Sequence, residues 1–338
     1  MRLRTLFVVV IHDLQKQLIG NIRMWDQDAF FYRSFFKLRV LEAYGVGFQQ
    51  LINNLFRYSV NGFQAITPWG RWGDGGNDGW VEATGTYYQV YGINSSSTVS
   101  PVTVVNKTIE DFYKLLEKWK DVKNYYFVFN DHFNGAPAQL CSALQVLKKK
   151  QKLAECRALV GADLETMFMS LDSDQKQMIV GGIPSSIPSH IDPRSVGEIL
   201  RHLADTDISP GYLVSDPPDL DEKIKFNGLS DCVGEILKSR WFQVPVVDQF
   251  LKMRDPGLSQ AIAKDISLLY EQSKEIIPAT EIPAADLRYV WMIDQLIPEL
   301  AHKHPHSLKA YREASQVIIS KYFETCDAYE HPKQLTSA

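Results

Sequence analysis

Gly70-Arg-Trp-Gly-Asp-Gly-Gly-Asn-Asp-Gly-Trp80, followed by Thr86-Tyr-Tyr-Gln-Val-Tyr-Gly92, is the stretch on which the fold of this 338-residue chain turns. The residues before it, Phe63-Gln-Ala-Ile-Thr-Pro68, form a short β-like run, and the residues after it are aromatic and β-branched, so two strands flank a glycine-rich turn. Glycine permits positive φ and close approach to a ligand, and Asp74 and Asp78 are the acidic groups of the turn. An acid entering one strand beside a polar residue on the next suits a divalent cation and a phosphate at one sheet edge. The same two acids could instead satisfy turn amides. A calcium loop starting at Asp74 fails because Gly76 and Gly85 stand where oxygen ligands are needed. A dinucleotide-binding turn fails because a strand, not a helix, follows.

The order of a helix carrying Gly45 and Phe48-Gln49, a strand, the turn ending in Asp78, and a strand carrying Gln89 resembles the Mrr-type branch of the PD-(D/E)xK, or restriction-endonuclease-like, superfamily. The resemblance runs over roughly residues 36–180. It implies that Asp78 and Gln89 hold Mg²⁺ or Mn²⁺, with a contribution from Asp74, and that DNA is the substrate. Tyr91 stands where the family has its lysine, and a phenol offers no positive charge in either protonation state. Lys107, opening the helix after these strands, is the candidate to supply the missing cation, with a solvated lysine as the alternative. A catalytically inactive nuclease fold that binds DNA or scaffolds a partner is the second reading.

Composition limits the remaining options. Hydrophobic residues make up 45% of the chain and the formal charge is −4, so two cored domains are expected and any DNA contact is local rather than a general basic coat. Lys148-Lys-Lys-Gln-Lys152 gathers Lys148, Lys149, Lys150 and Lys152 at a helix end, and Arg71 lies on the glycine-rich turn. These are the candidate phosphate contacts, with a solvated helix end as the alternative for the lysines. Cys141, Cys156, Cys232 and Cys326 are too scattered for a disulfide framework, which points to a reducing cytoplasm and makes the sequons at Asn94 and Asn106 chance matches. The apolar run Leu6-Phe-Val-Val-Val-Ile11 is too short to span a bilayer, so no membrane association is expected.

Apolar residues at helical spacing from Phe35 to Tyr58 predict one helix with Gln49 beside its buried face. Strands are expected near 63–67, 79–83 and 86–92, then a Ser/Thr-rich loop from Asn94 to Thr103. A helix capped by Asn106 or Thr108 should run to about Lys120, followed by a buried strand from Tyr125 to Phe129. The fold class is thus an α/β endonuclease-like core, a mixed sheet flanked by helices, followed by a mainly α domain. The expected divisions are an accessory segment over 1–23, the α/β domain over 24–183, a Gly/Pro/Ser-rich linker over 184–194 and a helical interaction domain over 195–338.

In the last of these, helices are read over 194–204, 227–240, 244–253, 257–276, 284–301 and 307–329. Leu229-Ser-Asp-Cys-Val, Pro256-Gly-Leu-Ser-Gln-Ala-Ile and the phrase from Ile318 to Pro332 resemble the C-terminal domain shared by proteins of ABC-three-component systems. Those bacterial conflict systems pair an SMC-like ABC ATPase with a variable effector. The resemblance implies a docking role toward that ATPase, another defence subunit or a second copy of the chain. His302, His304 and His306 lack a nearby cysteine, which weakens a zinc reading, while Glu324, Asp327 and Glu330 should form an acidic helical stripe.

Overall fold

The computed structural model describes residues 27–67, 75–93, 100–185, 191–204, 219–253, 257–305, 307–324 and 329–332; Arg71, Asp74, the sequon at Asn94, His306, Cys326 and Asp327 lie outside them. The chain divides into two compact units, residues 35–180 in one and 181–338 with the residues before 35 in the other.

The first unit is built on a five-stranded mixed sheet in the order β1 to β5. Helix α1 (27–42) ends in this unit, and α2 (Gly45–Ser59) follows. One long helix was expected here. The chain instead breaks at Tyr44, which is extended, and Gly45, whose φ of +50° leaves its N–H free to donate to the carbonyl of Gly92 at 3.1 Å. Strands β1 (Gln64–Ala65), β2 (Gly79–Val81) and β3 (Thr86–Tyr91) form an antiparallel meander. Helix α3 (Pro101–Lys118) then carries the chain to β4 (Asn124–Phe129), and α4 (Ala138–Gln151) carries it to β5 (Glu155–Leu159), both pairings being parallel. Helices α5 (Gly161–Met169) and α6 (Ser173–Val180) complete the unit.

Strand periodicity sorts the aromatic residues onto two faces. Tyr87, Tyr91, Tyr125, Phe127 and Phe129 lie in one cluster with Phe112 and Leu115 of α3 and Leu140, Leu144 and Leu147 of α4. On the other face Tyr88 meets Phe56 of α2 and stacks on Tyr126, with ring centroids 4.8 and 5.4 Å away. Helix α3 begins earlier than expected. Ser100 is its cap, its Oγ accepting from the N–H of Thr103 at 3.2 Å, and Pro101 occupies the first position, where its missing N–H costs nothing. Part of the anticipated loop is therefore helix.

Among the described residues, no strand follows β5. The second unit contains α7 (Pro193–Ala204), α8 (Leu220–Phe226), α9 (Asp231–Trp241), α10 (Val244–Lys252), α11 (Leu258–Ile276), α12 (Ala284–Gln295) and α13 (Leu308–Glu324). Helix α13 is the hub: Val317, Ile318, Ile319, Tyr322 and Phe323 are all buried, and it packs on α7, α9, α10, α11 and α12. Arg312, Ser315, Gln316 and Ser320 are buried with them, so this helix lies inside the bundle although it is not uniformly apolar. The mixed sheet flanked by helices and the helical second unit agree with the architecture read from the sequence, an α/β core followed by a mainly α domain, and leave its endonuclease-like identity untested. No helix among the described residues is long and apolar enough to cross a membrane.

Candidate metal and phosphate site

Asp78 sits at the entry to β2, where its backbone still follows the ladder: its N–H donates to Tyr88 O at 2.8 Å, and its carbonyl accepts from Ile66 at 2.9 Å. Its carboxylate joins two further elements. Oδ1 accepts from Nε2 of Gln49 on α2 at 2.5 Å, and Oδ2 accepts from the N–H of Val90 on β3 at 2.7 Å. Helix, turn and strand therefore meet on this one side chain, which is 7% exposed. The approach of Gln49 has a simple cause: Gly45 is tied to Gly92, which lays the first turn of α2 against the end of β3.

Gln89 precedes Val90 on β3, opposite Phe127 of β4, and is also 7% exposed. Its Oε1 is buried and has no hydrogen-bond partner. An orphaned buried acceptor is costly, on the order of 1–3 kcal/mol, and calls for a ligand, water or ion. The donor set offered by Asp78 and Gln89 is all oxygen, as Mg²⁺ and Mn²⁺ prefer, and Mg²⁺ is commonly held by only one or two carboxylates together with substrate phosphate. Among the described residues, no three His, Cys, Asp or Glu side chains gather to form a closed metal cage. Asp78 and Gln89 are thus oxygen donors of the kind such an ion takes, two in number rather than a full shell.

Tyr91 packs into the sheet. Its ring lies 5.9 Å from that of Phe127 and 6.4 Å from that of Phe129, packed against the core on the α3 side of the sheet. Lys107, on α3, has its ammonium on Asp111, at 2.8 Å from Oδ1 and 2.7 Å from Oδ2. Asp111 is buried, which its place on the helix did not reveal. Its turn of α3 lies against the glycine-rich turn, since a Cβ added to Gly76 would come within 2.7 Å of both Asp111 O and Leu115 N. Nearby, the buried hydroxyl of Tyr125 has no hydrogen-bond partner. Burial pushes its pKa well above the ordinary phenol range, and the charges of Asp111, Cys156 and Asp78 push it further.

The lysine cluster is spread over different roles. Lys148 pairs with Glu155 at 3.1 Å, Lys150 donates to Tyr113 Oη at 2.9 Å, and Lys152 closes α4 in a left-handed conformation. Lys149, Lys150 and Lys152 are exposed.

The helical unit has its own relatives. Residues 194–330 match C-terminal domain 10 of the ABC-three component (ABC-3C) systems. The match indicates that the chain is a component of such a system, which implies partner proteins. No curated protein and no solved structure matches the chain.

Within the unit that carries the ABC-3C domain, charge is buried in service of packing. Arg312, fully buried, spans Asp294 of α12, Nε to Oδ1 at 2.8 Å and Nη2 to Oδ2 at 3.1 Å, and donates from Nη1 to Gly182 O at 2.9 Å. Arg240 reaches Gln316 Oε1 at 2.8 Å and Ser185 O at 2.7 Å. The expected acidic stripe is not a helical one: α13 ends at Glu324, and Glu330 lies beyond it, paired with Lys274 at 2.6 Å.

Proposed function

We propose that the α/β unit is a metal-dependent endonuclease-type effector acting on DNA within an ABC-three-component antiphage complex, reached through the helical unit. The observation that carries this reading is the convergence on Asp78 of Gln49 from α2 and the Val90 N–H from β3; the unpartnered Oε1 of Gln89, the residue before Val90, is consistent with it. That convergence supports the motif order of helix, turn and strand as one site.

Asp78 and Gln89 would hold Mg²⁺ or Mn²⁺, with Asp74 as a further ligand outside the described residues. The ion would supply charge stabilisation at a phosphodiester and an activated water. Gln49 fixes the orientation of the Asp78 carboxylate through Oδ1, and the Val90 N–H does so through Oδ2. Lys107 is the cation for the phosphate, in place of the lysine displaced by Tyr91. Arg71 with Lys148, Lys149, Lys150 and Lys152 would contact the backbone of the duplex, lending affinity without sequence choice. The partner on the helical side would be an SMC-like ABC ATPase or another subunit, with a second copy of the chain as an alternative.

The test is cleavage of supercoiled plasmid by the purified chain with Mn²⁺. Cleavage by the wild type and its loss in Asp78→Ala support the reading; equal cleavage by both refutes it. A second reading, an inactive nuclease fold retained as a scaffold, is favoured by the packing of Tyr91 against Phe127 and Phe129. A wild type that co-purifies with an ABC ATPase yet leaves plasmid intact would select it.

A further inference from the structure

We propose that Asp111 positions Lys107 for the substrate phosphate, so that an anchored Lys107–Asp111 pair, rather than a free lysine, replaces the cation lost at Tyr91. The proposal rests on the nuclease reading above and adds a residue to it.

Three observations carry it. First, the pair is asymmetric in burial: the Asp111 side chain is 5% exposed, whereas that of Lys107 is 41% exposed, its ammonium donating to Oδ1 at 2.8 Å and lying 2.7 Å from Oδ2. A lysine loses up to about 2 kcal/mol of rotamer freedom when ordered, and a fixed acid one helical turn away sets where its ammonium rests before a phosphate arrives. Second, the pair is poorly suited to the mere stabilisation of α3. A lysine four residues before an acid is the weaker orientation for a helical ion pair, and pairs of this kind contribute only about 0.2–0.5 kcal/mol. Burying a carboxylate for that return is unfavourable unless the site gains by it. Third, the anchor is built into the turn that carries Asp78. Gly76 packs on the backbone of Asp111 and Leu115, two residues before Asp78. A second lysine, Lys114, stands 3.6 Å from Asp111 Oδ1 with 57% of its side chain exposed, so the acid does not depend on Lys107 alone for neutralisation.

The experiment is DNA binding without catalysis. A fluorescein-labelled duplex is titrated with the full chain in EDTA over a range of salt concentrations, for wild type, Lys107→Ala, Asp111→Asn, the double variant and Asp111→Glu. Removing a negative charge near DNA should, by charge alone, strengthen binding. Positioning predicts the opposite: Asp111→Asn weakens binding as Lys107→Ala does, each lowering the slope of log K against log salt by about 1. The double variant should be no worse than either single one, and Asp111→Glu should restore the wild-type slope. Parallel cleavage with Mn²⁺ should fall by about 10²-fold in Asp111→Asn.

The outcomes separate the two claims. Asp111→Asn binding as tightly as wild type, or more tightly, overturns the positioning role while Mn²⁺-dependent cleavage by wild type keeps the nuclease reading. Matching losses in Asp111→Asn and Lys107→Ala, with no cleavage by wild type, uphold positioning and overturn the nuclease reading. A wild type that neither binds nor cuts overturns both. Should Asp111→Asn melt early, Asp111→Glu decides: a folded glutamate variant with the reduced slope of Lys107→Ala refutes the proposal.

Discussion

Replacing Gly76 with alanine should destabilise the α/β unit by roughly 2–5 kcal/mol, combining a backbone cost and a contact cost. Gly76 has φ +81°, a left-handed conformation that costs an L-residue about 1–2 kcal/mol. Its new Cβ would sit 2.7 Å from Asp111 O, 2.7 Å from Leu115 N and 3.1 Å from Lys114 C. All three are backbone atoms of one helix, so no side chain can swing away. Ordinary contact begins at 3.4 Å, and the turn or α3 must move by 0.7 Å (3.4 − 2.7). Overpacking of this kind costs about 1–3 kcal/mol. Gly135 is the control, with φ +86° and nothing within 4 Å of an added Cβ; its alanine variant should show only the backbone cost of about 1–2 kcal/mol. Urea unfolding of the full chain, followed by hydrogen exchange in peptides from 75–93 and 101–118, gives both values. Equal destabilisation by the two substitutions would mean that the glycine-rich turn does not rest on α3, and the joint placement of Asp78, Asp111 and Lys107 would fall with it.

Asp286 of α12 offers a test of pH dependence. Burial is the main cause raising its carboxyl above the ordinary 3.8, against the lowering effect of the Ser230 hydrogen bonds. A raised folded-state value means that ionisation penalises the folded chain, so stability is lost as pH rises above 3.8 through the raised value. Asp286→Asn, which keeps the acceptor for Ser230, should therefore melt higher than wild type at neutral pH and lose that advantage in acid; a lower melting temperature at neutral pH refutes the assignment. Arg312→Met should cost the helical unit about 3–5 kcal/mol by stranding Asp294. Adding Asp294→Leu should recover most of that loss in urea unfolding, and a double variant as weak as the sum of the singles would rule the pair out as one unit.

The strands were legible because Tyr87 to Tyr91 and Tyr125 to Phe129 are continuous aromatic and β-branched runs, which a buried sheet requires. The meeting of Gln49 with Asp78 was legible from the place of Gln49 beside the apolar face of its helix. Other features depend on tertiary contacts that no local pattern carries. The break before α2 comes from Gly45 meeting Gly92, residues 47 positions apart (92 − 45). The Ser/Thr-rich setting of Ser100-Pro101 read as loop, although serine followed by proline is also a helix start. Strand β5, Glu-Cys-Arg-Ala-Leu, mixes charges with small apolar residues, so its alternating burial was hidden. Asp111 looked like any helix acid, and its burial likewise depends on tertiary contacts.

The central claim is that Asp78 and Gln89 form one cation site. Electron paramagnetic resonance of Mn²⁺ titrated into the full chain tests it without any substrate. The account predicts bound Mn²⁺ in the wild type, abolished by Asp78→Asn and weakened by Gln89→Ala, with both variants melting cooperatively. Mn²⁺ that stays free with wild type, or binds all three proteins alike, would contradict it.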